Sequence, residues 1–568
     1  MLVNYRNPHT ESSNDWRWKE IKIPRKLQSV KGLLCPQMPY RQGFLSRTIT
    51  MPNRTVDALF QLVKSLEKSE KRNFKLYVTR NSAAENLKVI ELFDALDKMG
   101  EYDDAVLLKK TPGIKKQQLS NLKAHLTRLI LQSLLLIRDD RNIDILLHEQ
   151  MGYARILYNK GLYLQSLKML DKLKDFARQH NQATFLMQAI FFEKKIEALH
   201  ITRSSEHRAT TLVHESEAVT KRLEGISASS NLSLLLYDWY IRHGHARNKK
   251  DESELDAFFE RHMPAGAPQS RGFYEQLYMA QSYCWYAFIR QDFLMYYRYT
   301  SKWTELFQKF PEMVKVETLQ YIKGLHNLLN AHFDLKNEPG FAKTLELFEA
   351  LEKEEVVQQN DNNRIQAFVY LQLGRLNQHF LRGTFTEGLS LVPYLEEKLE
   401  EYSLQLDRHR VLVFYYKIAC LYFGSGNNSR AIDYLQKIIN WKVDLRTDLQ
   451  CYARLLHLIA HYELNNTDLL EYQIKSVYRF MAKMGSLSVV EEEMFRFLRK
   501  SFGLSAGSEK AAFSKLLEII KPYENDPRET RTFSYLDVIS WLESKVNGMP
   551  VQEVIRQKAL LARQKRIV

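Results

Sequence analysis

The sequence is poor in the residues that break or cross-link a chain. Its 568 residues include only 21 glycines, 14 prolines and 4 cysteines. So little glycine and proline excludes collagen-like, low-complexity and turn-rich all-β proteins. Four cysteines spread over this length form no disulfide framework, which indicates a reducing compartment. We therefore expect a cytoplasmic protein.

Long hydrophobic segments are also missing. The longest apolar runs, such as Leu134–Ile137 and Val411–Tyr416, fall far short of the ~20 residues that a transmembrane helix needs. The beginning of the sequence contains no apolar stretch followed by a cleavage site, so the sequence predicts no secretory signal. We expect no helix that spans a membrane.

The usual signatures of catalysis and cofactor binding are absent. The sequence has no Gly-x-x-x-x-Gly-Lys-Ser/Thr loop, no Cys-x-x-Cys pair and no Gly-x-Gly-x-x-Gly turn after a strand. His457 and His461 share one helical face, but the glutamate of a zinc-protease helix is missing between them. Cys420 and Cys451 occupy packing positions, which favours a role in the core. The sequence therefore predicts a protein that is not an enzyme, with no catalytic residue, metal or cofactor.

The net charge of +15 is unevenly distributed. Residues 1–50 contain nine basic and three acidic residues, and residues 556–568 contain five basic residues and no acid. The remaining residues, 51–555, therefore carry only +4. Charge that is concentrated at the two ends is weak evidence for a nucleic-acid-binding body.

The first fifty residues differ from the rest in proline content and in helical periodicity. They contain four of the prolines and no sustained helical period, whereas regular helical spacing begins at Val56. Three interpretations of this segment remain open: a disordered tail, a start assigned upstream of a true start at Met51, or an organellar presequence. Acidic residues and prolines argue against the presequence.

From Val56 onward, apolar residues recur at helical spacing, and short polar breaks separate the helices. The breaks lie at 99–105, 159–163, 290–293, 381–385, 424–428 and 465–467. The last three are spaced 43 and 39 residues apart, which is typical of repeated helical hairpins. Because a single hairpin cannot bury its apolar face alone, neighbouring hairpins must stack. The sequence predicts an all-α protein, an α-solenoid of stacked helical hairpins.

The hairpin breaks carry a further pattern of small and aromatic residues. Ala419 and Tyr422 precede Gly426 and Ala431, and Gly161 is followed by Tyr163. This pattern resembles the tetratricopeptide repeat, although Asn428 stands where the aromatic residue usually lies and the break at 290–293 lacks glycine. The segments Leu66–Leu76 and Leu119–Ile137 resemble the opening of large, mostly uncharacterised bacterial proteins of tetratricopeptide type. The resemblance implies a superhelix that binds a protein or peptide on its concave face.

Composition and breaks together divide the chain into six segments. These are a basic, proline-containing tail at 1–50, an N-terminal helical module at 51–147, a first hairpin block at 148–265, a second, tetratricopeptide-like block at 266–485, a C-terminal helical cap at 486–550 and a basic C-terminal helix or tail at 551–568. For the last segment, a solvated tail and a helix that docks on an anionic partner or membrane surface are both open.

Residues 273–303 include twelve aromatic residues. Packing between hairpins explains such a run, and so does a set of anchors for a bound peptide. If the resemblance holds, the groove lies on the first helix of each hairpin. Helical phase then selects these peptide-groove candidates: His148, Met151, Arg155, Tyr158, Tyr278, Gln281, Trp285, Phe288, Val413, Tyr416 and Phe423.

The favoured function is a non-catalytic scaffold that binds a protein or peptide. The alternative is a regulatory, nucleic-acid-associated protein in which the basic N-terminal helical module is joined to a solenoid sensor. The balanced charge of the body weakens that alternative. The sequence does not indicate the identity of the partner or the oligomeric state.

Overall fold

The computed structural model describes ten stretches of the chain. They are residues 57–80, 84–137, 142–200, 207–246, 248–264, 272–441, 447–483, 488–501, 506–526 and 537–567. Within these stretches the regular elements are helices and no strand occurs, which confirms the all-α prediction. The predicted tail at 1–50 and the alternative start at Met51 lie outside the described residues.

Five helices form the first described part of the chain. They are α1 (Ala58–Ser65), α2 (Lys68–Arg80), α3 (Ala84–Lys98), α4 (Asp104–Lys110) and α5 (Lys116–Leu135). The Asp57 side chain accepts a hydrogen bond from the Phe60 backbone N–H and caps α1. Helix α4 ends at Lys110. Thr111 does not continue the helix because Pro112, which follows it, disfavours helical backbone at Thr111. Buried side chains of α1, α2, α3 and α5, among them Phe74 and Phe93, form one shared core.

The next five helices include the longest one. They are α6 (Ile143–Asn159), α7 (Tyr163–Gln179), α8 (Ala183–Leu199), α9 (Arg208–His243) and α10 (Lys249–His262). With 36 residues, α9 rises about 54 Å at 1.5 Å per residue. It contributes Val219 to the core of α6, α7 and α8, and Leu232 and Leu236 to the core shared by α10 and α11. A single helix therefore belongs to two successive hydrophobic cores.

Hairpins follow one another through the middle of the chain. The helices are α11 (Phe273–Arg290), α12 (Phe293–Lys309), α13 (Met313–Val316), α14 (Thr318–Asp334), α15 (Glu338–Glu352), α16 (Glu355–Gln358), α17 (Asp361–Arg382), α18 (Phe385–Gly388), α19 (Val392–Glu401), α20 (Arg408–Gly424), α21 (Asn428–Ile439), α22 (Thr447–Glu463) and α23 (Thr467–Lys483). Each of the long helices packs mainly against its neighbours in sequence. These bounds confirm the predicted breaks in this region.

A residue in the left-handed backbone region ends the first helix of each of these hairpins. The residues are Gln291, Lys336, Gly383, Gly426 and Asn465, with φ between 50° and 85°. In four of the five turns the next residue is aspartate or asparagine, and Asp292, for example, caps α12 by accepting from the Met295 N–H. The left-handed residue stops the helix and the capping residue starts the next one. The turns thus recur every 39 to 47 residues.

The C-terminal part folds back on the middle of the chain. It consists of α24 (Val489–Lys500), α25 (Ala506–Ile520), a 3₁₀ segment (Lys521–Asn525), α26 (Val538–Asn547) and α27 (Val551–Ile567). Helix α27 packs against α26 and also against α17. Thr386 donates its hydroxyl to Gln552 Oε1 over 2.9 Å, and Arg556 lies 3.3 Å from Glu387. The solvated tail considered for 551–568 is therefore not what the structure shows for this helix.

Membrane-spanning helices were not expected from the sequence. Among the residues that the structure describes, no helix is both long enough and apolar enough to cross a bilayer. The longest helix, α9, carries charged and polar side chains along its whole length.

Candidate functional site

Successive hairpins touch through their first helices, which we define as α6, α8, α11, α14, α17, α20 and α22. Polar contacts link these helices one after another. Gln182, which caps α8, donates to Tyr274 Oη over 3.1 Å, and Tyr274 donates to Glu317 at the start of α14 over 2.8 Å. Gln281 donates to Gln320 Oε1 over 2.8 Å. The predicted groove residues can be placed relative to these contacts.

The α6 candidates fall into two environments. His148 and Arg155 are exposed and approach the rings of α8, with 4.7 Å between the ring centroids of His148 and Phe185. Tyr158 is half-buried, and its ring centroid lies 5.4 Å from that of Phe192. Met151, in contrast, is only 4% exposed and belongs to the core of α6–α8. Met151 therefore packs between helices and is not presented to a ligand.

The α11 candidates lie on two sides of their helix. Tyr278 is half-buried beside Glu317, and Gln281 makes the hydrogen bond to α14. Trp285 and Phe288 instead pack on α9, where both approach the Tyr240 ring within 5.6 Å. The aromatic run at 273–303 thus serves mostly the packing between α9, α11 and α12, while Tyr278 and Gln281 remain at the contact between first helices.

The α20 candidates are mostly interior. Tyr416 and Phe423 are 3% and 7% exposed, so they fill the contacts that α20 makes with its neighbours. Val413 is half-buried. Helical phase placed these residues on a groove because α20 is apolar on nearly all sides, which leaves no unique polar face to orient it. Two polar residues of this helix, Arg410 and Lys417, reach the first-helix contacts.

A set of polar and aromatic side chains joins α14, α17 and α20. The His326 and Tyr370 rings stack with their centroids 4.2 Å apart and an interplanar angle of 19°. Arg410 donates to Gln366 Oε1 over 2.5 Å and lies 5.5 Å from the Tyr370 ring centroid. Lys417 Nζ donates to Asn377 Oδ1 of α17. We call Lys323, His326, Tyr370, Arg410 and Lys417 the cationic cluster.

Lys417 is held by neutral groups. Its Nζ donates to Asn377 Oδ1 over 2.7 Å and lies 5.2 Å from the Phe380 ring centroid and 5.9 Å from that of Phe333. Burial lowers the pKa of Lys417 to about 8, while the negative charge of Asp334 acts in the opposite direction. Burial likewise raises the pKa of Asp334 to about 7. Both groups therefore titrate much closer to neutrality than they do in water.

His326 lies among the three cations of the cluster. Its pKa is lowered to about 3, first by burial and then by the positive charges of Lys323, Arg410 and Lys417. The imidazole is therefore neutral at physiological pH, and it shares a hydrogen bond with Asn330 over 3.1 Å. Arg410 is linked to His326 through the Tyr370 ring, which stacks on the imidazole and lies 5.5 Å from the guanidinium.

Lys323 combines exposure with desolvation. Its side chain is exposed to water, yet the surrounding protein lowers its pKa and the nearby charge of Arg410 lowers it further. A side chain has both properties when protein atoms surround it on several sides while one side stays open. Lys323 therefore has an exposed side chain that protein atoms partly surround.

Comparison with known proteins identifies no family for this chain. No protein-family model matches the sequence, and no curated protein matches it. The functional proposals below rest on the side chains of the first helices and on their electrostatics.

The cationic cluster was missed by sequence reasoning. Its α14 members belong to a polar row, Lys323, His326, Asn330 and Asp334, at spacings of 3, 4 and 4 residues. That row is a recognisable stripe on one helical face. It was overlooked because the left-handed residue of the turn is Lys336 rather than a glycine, although Pro339 and Gly340 at the start of α15 are a recognisable helix-start signal.

His457 and His461, the pair that the sequence places on one helical face, lie together in the interior. His457 and His461 are 8% and 7% exposed, and their ring centroids lie 4.4 Å apart. Burial lowers the pKa of both, to about 4 for His457. Over the part of the chain that the structure describes, no group of three potential metal ligands occurs. Burial also raises the pKa of the Cys420 thiol to about 12, so this cysteine is a poor nucleophile.

The basic N-terminal module presents its charge on α2. Lys71 and Lys75 form ion pairs with Asp97 and Asp94 of α3, over 2.8 and 2.7 Å. These pairs neutralise two of the five basic residues of the helix. The positive charge that α2 presents to a nucleic acid is therefore smaller than the sequence alone indicates.

Proposed function

We propose that the chain is a tetratricopeptide-like α-solenoid and a non-catalytic scaffold that binds a protein or peptide on its first helices. The observation that carries this proposal is the run of buried and half-buried polar and aromatic side chains at the contacts between first helices. Gln182, Tyr274, Glu317, Gln281 and Tyr370 all belong to this run. Such groups offer hydrogen-bond partners and aromatic surfaces along a line, which suits an extended peptide.

The recurrence of the turns supports the repeat architecture. Turns spaced 39 to 47 residues apart fall in the range of two-helix repeats. Gly324 also lets α14 approach α12 closely, since a Cβ at this position would lie 3.1 Å from the Trp303 ring. Small residues at helix contacts are what the tetratricopeptide resemblance implies for a stacked hairpin.

The alternative function is a regulatory protein whose N-terminal module contacts nucleic acid. The ion pairs of Lys71 and Lys75 count against it. Salt-dependent binding of the full chain to a duplex DNA of arbitrary sequence would favour it, because phosphate contacts release counterions. Absence of such binding at low salt removes this alternative.

A random peptide library tests the scaffold proposal. We would pan the full chain against displayed random 12-residue peptides and measure the affinity of enriched peptides by fluorescence anisotropy. The doubly substituted Tyr278→Ala, Gln281→Ala variant should bind at least about tenfold more weakly, because it loses an aromatic surface and a hydrogen-bonding group.

The control is Tyr472→Ala, which removes an aromatic ring that is 77% exposed on the second helix α23. This variant should bind like the wild type, and circular dichroism checks that both variants fold. If no peptide is enriched, or if Tyr472→Ala weakens binding as much as the double substitution, the first helices are not the binding surface.

A further inference from the structure

We propose that the cationic cluster binds an extended peptide segment that carries carboxylate side chains. The segment would lie across α14, α17 and α20, with its carboxylates against Lys323, Arg410 and Lys417. This inference rests on the proposed peptide-binding function and specifies the chemistry of the ligand at one part of the same surface.

The cations are positioned mostly by neutral groups. Gln366 Oε1 and the Tyr370 hydroxyl hold Arg410 over 2.5 and 3.4 Å, and Asn377 Oδ1 holds Lys417 over 2.7 Å. Amide and hydroxyl oxygens orient a cation without cancelling its charge. The acid that pairs with Arg410 is Asp407 at the exposed start of α20, over 3.0 Å. Asp334 of α14 acts on Lys417, so the positive field that is available to an anion comes mainly from Lys323 and Arg410.

Lys323 adds an unsatisfied charge beside this pair. Among the described residues its ammonium makes no hydrogen bond or ion pair, and its side chain is exposed. It lies one turn before His326 on the same face of α14. The repulsion that it shares with Arg410 disfavours its charged form. An anion that binds between the two relieves this repulsion, which favours binding beyond the direct contacts.

The spacing of the cations favours an extended chain over a single small anion. Arg410 and Lys417 are seven residues apart on α20, which corresponds to about 10.5 Å along the helix. An extended peptide advances about 3.3 Å per residue, so carboxylates three residues apart match this separation. One phosphate or carboxylate group reaches only one of the two cations.

The aromatic groups argue against a nucleic acid at this place. The His326 and Tyr370 rings stack on one another, so their facing surfaces are already occupied. Single-stranded nucleic acids bind through open aromatic faces together with a long row of cations. Three cations around one half-buried histidine suit a few carboxylates better than a polyphosphate chain.

The probe is a fluorescein-labelled peptide, Glu-Gly-Ser-Glu-Gly-Ser-Glu, compared with the same peptide in which Gln or Lys replaces Glu. Fluorescence anisotropy with the full chain should show binding of the Glu peptide, at least about tenfold weaker binding of the Gln peptide, and weakening of the Glu peptide by added salt. Substitutions Lys323→Gln and Arg410→Gln should each weaken the Glu peptide about tenfold.

The matched control is Lys343→Gln, which removes an exposed lysine from the second helix α15 and should leave the affinity unchanged. Competition by inorganic phosphate or citrate as effective as the Glu peptide would identify a small-anion site and overturn the proposal. Competition by an oligothymidylate would overturn it in favour of nucleic acid. If library peptides bind but the Glu peptide does not, the carboxylate inference is wrong while the scaffold function stands; if neither binds, both are wrong.

Discussion

Lys174 is a buried lysine whose charge is matched inside the protein. It is 4% exposed, and its Nζ donates to Glu193 Oε2 over 2.6 Å, where Glu193 is fully buried. Glu215 of α9 lies 3.4 Å from the same Nζ, and Arg208 contacts Glu193 from the start of α9. The network joins α7, α8 and α9 in one place. A buried charge of this kind is costly unless every partner is present.

We expect Glu193→Ala to destabilise the protein by about 3–5 kcal/mol, because it leaves Lys174 buried without its closest partner. The double substitution Lys174→Met, Glu193→Leu should recover most of that loss, since two apolar side chains of similar size avoid the desolvation of both charges. Urea denaturation followed by circular dichroism measures both. A double variant as unstable as the single one would show that the ion pair itself is strongly stabilising.

His457 and Asp334 make the stability depend on pH in opposite directions. Burial lowers the pKa of His457 to about 4, below the value near 6.5 in an unfolded chain. Between about pH 4 and 6.5 the unfolded state therefore binds more protons than the folded state. The stability that neutral His457 contributes is present above about pH 6.5 and is lost as the pH falls. Asp334, whose pKa burial raises to about 7, destabilises the fold as the pH rises from about 4 to 7.

Urea titrations between pH 4 and 8 should separate these two effects. His457→Gln should flatten the loss of stability on acidification, and Asp334→Asn should be more stable than the wild type at pH 8 but not at pH 4. The slope that one histidine contributes is at most about 1.4 kcal/mol per pH unit. Parallel curves for the wild type and His457→Gln would contradict the assignment.

At the scale of the helix, two glycines in helix interiors have opposite roles. Gly225 lies within α9, and a Cβ there would make ordinary contact with Glu275 at 3.5 Å. Gly324 lies within α14, where a Cβ would lie only 3.1 Å from two atoms of the Trp303 ring. The first glycine weakens its helix without a packing reason. The second allows α12 and α14 to approach each other.

We therefore expect Gly225→Ala to raise the free energy of unfolding by about 0.5–1 kcal/mol, because alanine restricts the unfolded chain and favours the helix. Gly324→Ala should lower it by about 1–3 kcal/mol through overpacking against Trp303. Thermal and urea unfolding of the two variants compare them directly. Equal changes in the free energy of unfolding would mean that helix propensity, rather than packing, determines the effect of alanine at both positions.

The turns explain why some hairpins could be predicted and others not. Gly161, Gly383 and Gly426 adopt positive φ, and glycine in a polar break is a recognisable stop signal. Gln291 and Lys336 adopt the same backbone conformation with side chains that carry no such signal. The polar break at 290–293 was found without a glycine, whereas the turn at Lys336 was missed.

At the scale of the whole chain, α27 returns to a hairpin formed about 170 residues earlier in the sequence. Gly383 ends α17 with a φ of 67°, and a Cβ there would lie 2.6 Å from the Arg556 backbone nitrogen and 2.6 Å from the Gln552 carbonyl oxygen. On its other side, α27 is held by Lys558, which lies 2.6 Å from Glu543 of α26. In an open stack each repeat contacts only its neighbours. The contact of α27 with α17 departs from that rule.

We expect Gly383→Ala to lower stability and to release α27, because the new Cβ collides with its backbone in addition to straining φ. Gly548→Ala is the matched control: its φ is 66°, and nothing lies within 4 Å of the added Cβ. The free energy of unfolding of the control should fall by only about 1–2 kcal/mol, which is the cost of placing alanine in the left-handed conformation. Limited proteolysis followed by mass spectrometry should show faster cleavage near Val551 in Gly383→Ala than in Gly548→Ala. Equal cleavage rates would show that the backbone contact does not hold α27.

The candidate site illustrates the limit of sequence reasoning. Helical phase assigned Tyr278 and Gln281 to the groove, and the structure places both at the contacts between first helices. It put Tyr416 and Phe423 there as well, although both are buried, because α20 has apolar residues on all sides. The phase of a helix indicates a face only when that helix is amphipathic.

The sequence alone determined the helices of this protein, because apolar spacing, glycine in the turns and capping residues such as Asp57 and Asn427 act between residues a few positions apart. The tertiary structure decided which side chains meet. Lys323, Tyr370 and Arg410 come from three helices. Helix α27 packs on α17, although most of the C-terminal third of the sequence separates the two helices. Such contacts depend on how packed helices are placed in space, and no local pattern in the sequence records that placement.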